Sequence, residues 1–275
     1  MPTIRALLKA NGLGRIADVI AESVKPSVWL AAMDPSEGPT CRLGGRPNLP
    51  AVIEWPTWRE QPLPFVAQFQ LDAIPAMKGF KLPRRGSLLF FNEAGRDDEW
   101  DGLSVLYAEK PLSESPLRDF PEELDEAFRF PAFELGVRAT GPSVPDFSDQ
   151  LVEELELTEE ENMKYQDVCW SWKEQPSYEG HRIGGYPNTV QRDDPKREAH
   201  LKSLGLYGFD LSDYKRRKAQ KAAPGAKDWE LLFQLDSEKK AGMMWYDAGR
   251  IYFLIHKDDL AERRFNLVWS VMQTS

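Results

Sequence analysis

The stretch "RLGGRPNLP" at residues 42–50 returns as "RIGGYPNTV" at residues 182–190. Both read Arg, an apolar residue, Gly-Gly, one variable residue, then Pro-Asn. Consecutive glycines permit positive φ or a close approach between backbones, and the proline fixes φ and keeps the residue before it out of a helix. Each copy therefore predicts a tight turn, built by Gly44, Gly45 and Pro47 in the first case and by Gly184, Gly185 and Pro187 in the second. A repeat of this kind has to be read before anything else, because it governs the fold.

The similarity continues downstream in one order. "PLPFVAQFQLD" (62–72) answers to "KDWELLFQLD" (227–236), sharing Phe-Gln-Leu-Asp at 69–72 and 233–236. "GSLLFF" (86–91) answers to "GRIYFL" (249–254), and "LSVLY" (103–107) to "VWSVM" (268–272). Residues 65–71 and 229–235 alternate with period two, so Phe65, Ala67, Phe69 and Leu71 share one face, as do Trp229, Leu231, Phe233 and Leu235. The unbroken apolar runs suit strands covered on both sides. The implied organisation is a single domain, 1–275, with repeat 1 at about 35–110, a helical connection at 111–180, and repeat 2 at about 181–275 carrying an insertion at 191–228. Two short helices are expected within 3–24, one at 119–128 started by Asp119 and Pro121, and helix over 148–172 with a break near Thr158.

Composition narrows the function classes. The chain of 275 residues is 41% hydrophobic and 29% charged, with nine Trp, eight Tyr and fourteen Phe, ample material for a sheet-based core. Forty-four acids against 35 bases leave a formal charge of −9, which repels phosphate backbones and makes nucleic acid an unlikely partner. Cys41 and Cys169 have no ligand-spaced neighbours, so free thiols and a cytoplasmic location are expected. No apolar run is long enough for a membrane span, and no membrane association is expected.

Candidate chemistry gathers around the repeated turns. Arg42 and Arg182 occupy equivalent places and could hold an anion across a shared rim. His181 immediately precedes the second motif where Cys41 precedes the first, which raises a Cys–His nucleophilic pair. Gln70 and Gln234, with Asp72 and Asp236 two places on, point away from the apolar strand face and could line a groove beside Trp245 and Asp247. Against each stands a structural reading: punctuating turns, a buried thiol, amides that satisfy strand ends, a core tryptophan. His181, His200 and His256 are scattered, so no metal site is expected, and no phosphate loop or nucleophile elbow points to a cofactor. Residues 146–163 hold eight acids and no base, whereas 214–221 hold Lys215, Arg216, Arg217, Lys218 and Lys221 and no acid. Such blocks are solvated faces or mutual partners first; the acidic one could also face a basic protein.

Taken in order, "RLGGRPNLP", "FVAQFQLD", "GSLLFF", "HRIGGYPNT", "LLFQLD" and "MMWYDAGRIYFLI" resemble the YwqG-like family, a bacterial family of unknown function, over roughly residues 35–273. The resemblance implies an α+β fold, a large mixed, mostly antiparallel sheet folded into a pseudo-barrel from two duplicated β-units with peripheral helices. It implies no catalytic residues and no cofactor. Some relatives lie near toxin–immunity gene clusters, which implies an immunity-like, toxin-neutralising or other partner-binding role, and a doubled motif set without a catalytic constellation points to a non-enzymatic binding protein. An enzyme acting on a small molecule or peptide in a cleft between the repeats, through Arg42, Arg182, His181 and Asp236, is the alternative.

Overall fold

Strand-forming segments account for most of the core. The computed structural model describes residues 3–33, 41–93, 102–173, 180–208 and 211–274. Among them run twelve strands: β1 (Lys25–Ala32), β2 (Cys41–Leu43), β3 (Thr57–Trp58), β4 (Gln61–Pro62), β5 (Phe65–Gln70), β6 (Ser87–Asn92), β7 (Leu103–Ala108), β8 (Phe133–Ser143), β9 (His181–Gly184), β10 (Trp229–Asp236), β11 (Arg250–His256) and β12 (Trp269–Gln273). β3 and β4 pair only with each other, and the other ten form one sheet in the order β12-β11-β10-β9-β1-β8-β2-β5-β6-β7. Every pairing is antiparallel. The expectation of a mixed sheet is corrected on that point, while the α+β pseudo-barrel with peripheral helices stands.

The order reads the same from both ends. β2, β5, β6 and β7 run outward on one side of the central pair β1–β8, and β9, β10, β11 and β12 run outward on the other. β1 precedes β2 in the chain yet pairs with β9, and β8 precedes β9 yet pairs with β2. The register is balanced about the facing pair Ala31 and Gly136, with Leu30 opposite Val137 and Ala32 opposite Leu135. Likewise Trp29 lies opposite Arg182 and Glu134 opposite Arg42. "PSVWL" (26–30) and "PAFEL" (131–135) thus occupy matching places, a likeness too short to stand out in the sequence.

β8 lies within 111–180, where a helical connection was expected. Its sequence, FELGVRATGPS, carries two glycines, a proline and two charges, so local pattern alone does not announce an eleven-residue central strand. The helix expected at 119–128 is also absent, and only a single 3-10 turn forms at Glu126–Phe128. The Arg129 guanidinium accounts for this, because it donates to the carbonyls of Pro121, Glu122 and Leu124, acceptors that a helix would need. Asp119 pairs with Arg46 instead of capping.

The sheet curls until its two arms meet, nearly closing a barrel. Phe69 packs edge-on against Phe233 at 4.7 Å between centroids, and Phe90 lies 5.0 Å from Phe253. Asn92 of β6 donates to the Ser270 hydroxyl of β12 at 3.0 Å, tying the arms directly. Aromatic side chains fill this interior, each buried ring contributing about 2–3 kcal/mol. Outside, α1 (Ile4–Ala10), α2 (Ala17–Glu22), α3 (Gln150–Glu153) and α4 (Glu159–Lys173) cover Trp29 and Val144. α5 (Pro195–Ser203) lays Ala199 over Trp229, Tyr252 and Leu254, while α6 (Asp213–Ala222) and α7 (Lys257–Ala261) stand at the periphery. The expected break near Thr158 is real. Thr158 accepts from Glu161 N–H and its own N–H donates to the Glu161 carboxylate, a reciprocal cap that starts α4.

The paired glycines do what their pattern predicts. All four have φ between +54° and +76°. A Cβ on Gly44 would stand 2.5 Å from the Pro131 carbonyl oxygen, and one on Gly185 would stand 2.7 Å from Ser143 Cβ. Gly44→Ala and Gly185→Ala are therefore expected to lower stability by about 2 kcal/mol or more in urea denaturation, adding contact strain to a left-handed backbone. Gly14→Ala, where nothing lies within 4 Å, is expected to change stability by less than about 1 kcal/mol.

Candidate functional site

The repeated turns bring polar side chains together, twice, on the outer face of the sheet. On β9, Ile183 faces the barrel interior, so Arg182 points outward. It lies opposite Gln234 of β10. Arg182 is 0% exposed, and its Nη2 donates to Gln234 Oε1 at 3.0 Å. The Gly184–Gly185 turn then swings the chain back, so that the Asn188 N–H donates to the same oxygen at 2.9 Å. The Asn188 carbonyl in turn accepts from Arg250 Nη1 and from the Tyr252 hydroxyl. Gln234 completes its bonding by donating to the Gly180 carbonyl.

The first copy repeats this layout with one substitution of roles. Arg42 lies opposite Gln68, and the Asn48 N–H donates to Gln68 Oε1 at 3.0 Å. Gln68 Nε2 donates back to Asn48 Oδ1 at 2.8 Å, and Arg42 reaches that oxygen at 3.5 Å and the Arg46 carbonyl more closely. The structural partner of Gln234 is therefore Gln68. Gln70, which shares the literal Phe-Gln-Leu-Asp match, lies two residues further on at the strand end, where it donates to Asp72 and accepts from Leu112 N–H. The bulges agree with this alignment, at Val66 between Phe65 and Ala67, and at Leu232 between Leu231 and Phe233.

The remaining candidates are distributed as follows. His181 is adjacent to Arg182 on β9 and points to the opposite face; its Nδ1 accepts from Asp236 N–H at 3.1 Å. The imidazole is thus neutral, and burial is the main cause that lowers its pKa to about 4, with Arg250 acting in the same sense and Glu238 against it. Asp236 holds Arg250 through a 2.9 Å ion pair. Trp245 is buried against Phe130, its indole N–H donating to the Asp236 carbonyl, and Asp247 lies exposed in the following turn. Cys41 is buried beside Glu134, and burial first and that carboxylate second push its thiol well up, away from the thiolate that nucleophilic chemistry requires. Arg42 and Arg182 are separated in the sheet by β8 and β1 and each is enclosed by its own turn. Arg182 and His181 thus lie on opposite faces of β9, the Asp236 carboxylate is held by Arg250, and Arg42 stands apart, so the four side chains do not converge on one pocket.

Charge falls differently from the sequence expectation. Acids of 146–163 pair with Arg15, Lys164, Lys196 and Arg197, and no ion pair to 214–221 occurs among the described residues. One cluster had no sequence signal beyond the Asp194-Pro195 helix start: Asp149 and Asp194 enclose Lys196, which is 3% exposed and lies over the Tyr186 ring at 5.1 Å. Asp194 caps α5 through Lys196 N–H and accepts from Gln150 N–H, joining the starts of two helices. No group of three or more His, Cys, Asp or Glu suited to a metal ion occurs among the described residues. No helix among them is long and apolar enough to cross a membrane.

A family model described as a domain of unknown function (DUF1963) matches residues 41–274. No curated protein matches the chain.

Two measurements follow from this geometry. Gln234→Leu and Gln68→Leu each leave a buried turn N–H without its acceptor and are expected to lower stability by about 2–3 kcal/mol in urea denaturation, whereas Gln70→Leu, half-buried, is expected to cost about 1 kcal/mol or less. The second concerns pH. Because the folded pKa of His181 lies below its ordinary 6.5, the unfolded chain takes the extra proton first, and the stability present above 6.5 declines as pH falls toward 4. Asp194, raised chiefly by burial, acts in the opposite sense, adding stability as pH falls toward the ordinary carboxylate range. The readout is therefore a difference: between pH 7.5 and pH 5, His181→Gln should lose about 2 kcal/mol less than the parent chain in the same denaturation measurement.

Proposed function

We propose a function from one premise: the chain belongs to the DUF1963 family, a domain of unknown function, whose model spans every strand of the large sheet except β1. On that premise the protein is a non-enzymatic binding module that docks a basic protein partner on the outward face of α4. One observation carries this reading. Trp170 and Met163, on the exposed side of α4, are 63% and 61% exposed. Helical spacing places them on one stripe with Glu159, Gln166 and Asp167, and Glu160 flanks it. Tyr165, Val168, Cys169 and Trp172 take the buried side, so packing of the helix does not explain why apolar surface remains outside. A tryptophan set among carboxylates matches the make-up of interface hot spots, and it selects a partner carrying Lys or Arg around an apolar pocket.

Two further features support the reading. The polar groups of both repeated motifs are engaged in holding turns to strands, and the surface they would have offered is closed. Residues 42–107 and 182–272 also follow matching strand layouts, which favours descent of both halves from one copied unit. The resemblance to the YwqG-like family and its toxin–immunity neighbourhoods gives the finer form of the proposal, a toxin-neutralising role against a basic toxin.

The test is affinity capture with the parent chain, Trp170→Ala and Asp167→Lys. A stoichiometric polypeptide of basic composition is expected, weakened about tenfold or more by either substitution and by raised salt, with unchanged melting temperatures. Equal capture by all three chains, or an acidic captured partner, would reject the assignment of α4.

A further inference from the structure

A second surface departs from the acidic character of the chain and lies away from α4. A cavity of about 680 Å³ opens beside the seam where the arms of the sheet approach. One wall is the segment before β6, with Phe80, Lys81, Arg84 and Arg85; the second is edge strand β7, with Tyr107 and Glu109; the third is the turn after α7, with Arg263. Four basic side chains face one acid here, in a protein whose formal charge is −9.

The cations are not occupied by their neighbours. Arg84 donates to the Ile74 carbonyl, which anchors it. Lys81, Arg85 and Arg263 have no ion pair among the described residues, in contrast to Arg5, Arg15, Lys25 and Arg46, each of which has a carboxylate. Tyr107 organises the site: its hydroxyl donates to the Arg85 carbonyl at 3.3 Å, and the Arg263 guanidinium lies 5.9 Å above its ring. The ring itself packs on Phe265, so this platform is fixed from below.

Arg263 supplies an independent observation. α7 ends in a hydrogen-bonded cap in which Arg263 N–H donates to the Leu260 carbonyl and Arg264 N–H to that of Asp259. The residue at this place takes a left-handed backbone, here φ +59°, and glycine is the residue that adopts it without strain. From that place Arg263 sends its guanidinium over Tyr107 at the mouth of the cavity.

We propose that this cavity binds a small organic phosphate of about nucleotide size, its charged groups taken by Lys81, Arg85 and Arg263 and its body resting on Phe80. Arginine forks match phosphate oxygens in pairs, and the volume exceeds what a lone inorganic anion would fill. Because the walls come from both arms of the sheet, the ligand would bridge them and raise resistance to unfolding.

The test titrates the full chain with ATP and, separately, with inorganic pyrophosphate, by calorimetry and by thermal melting at low salt. Saturable one-to-one binding is expected for ATP, with a raised melting temperature and weaker binding as salt rises. Arg263→Gly should weaken ATP binding about tenfold or more while leaving the unliganded melting temperature unchanged or higher, a combination that a purely structural arginine would not give. Lys81→Ala should weaken binding similarly, and Lys218→Ala, on α6, should leave it unaltered. Pyrophosphate binding of equal affinity would overturn the size assignment, and binding of neither, or binding indifferent to Arg263→Gly and Lys81→Ala, would overturn the site. Binding of a single-stranded oligonucleotide through the same residues without any ATP binding would also overturn it, in favour of a polymer.

Discussion

The antiparallel pairing of β1 with β8 is the interaction on which the rest of the structure depends. Each of these strands comes before one arm of the sheet in the chain and completes the other arm in space. Removing either would expose the edge of β9 or of β2 and separate the two arms, whose aromatic side chains pack against each other across the interior. The barrel interior is shared, with residues of both arms in one buried cluster. The contacts that close the barrel join residues far apart in the chain, so the whole sheet is expected to form as one cooperative unit.

That exchange also explains the form of the repeated turns. β2 and β9 are short, and after three or four residues the chain must leave the sheet without uncovering the strand beside it. The glycine pairs let it turn back against the start of β8 or β1, where Gly45 meets Ala132 and Gly185 meets Ser27. Asn48 and Asn188 then return their N–H groups to a glutamine of the next strand. In the second copy the same glutamine oxygen accepts from a fully buried arginine and from the turn that encloses it. Replacing the role of Gln234 toward its arginine, Arg42 leans on Asn48 and Arg46, which shows that the turn is the constant element and the arginine contact the adaptable one.

The surfaces available for recognition therefore lie outside the motif that first draws the eye. The acidic stretch divides into carboxylates bound to Arg15, Lys164, Lys196 and Arg197, and a remaining stripe on α4 around Trp170. The cationic cavity stands at the seam, on the segment before β6, the end of edge strand β7 and the turn after α7.

Much of this was legible beforehand, for definite reasons. Alternation and apolar runs identified β5, β6, β7, β10, β11 and β12 as strands, but the bulges at Val66 and Leu232 put Phe65, Trp229 and Leu231 on the face opposite Phe69 and Phe233, against the faces that strict alternation assigns. The glycine pairs announced their backbone, since few other residues reach it. The true partner of Gln234 did not show itself: a slip of two residues keeps every side chain on its face, so the pattern cannot tell Gln70 from Gln68, and only the place opposite Arg42 and the hydrogen bonding to Asn48 choose. β8 was hidden because its neighbours, and not its composition, hold it extended; the segment 119–128 was misread because Arg129 captures the carbonyls a helix would use. Local chemistry, in short, determined which segments turn or extend, whereas pairing between distant segments decided which strands lie together, which cations are buried and which are left facing solvent, since those outcomes depend on partners that no single stretch contains.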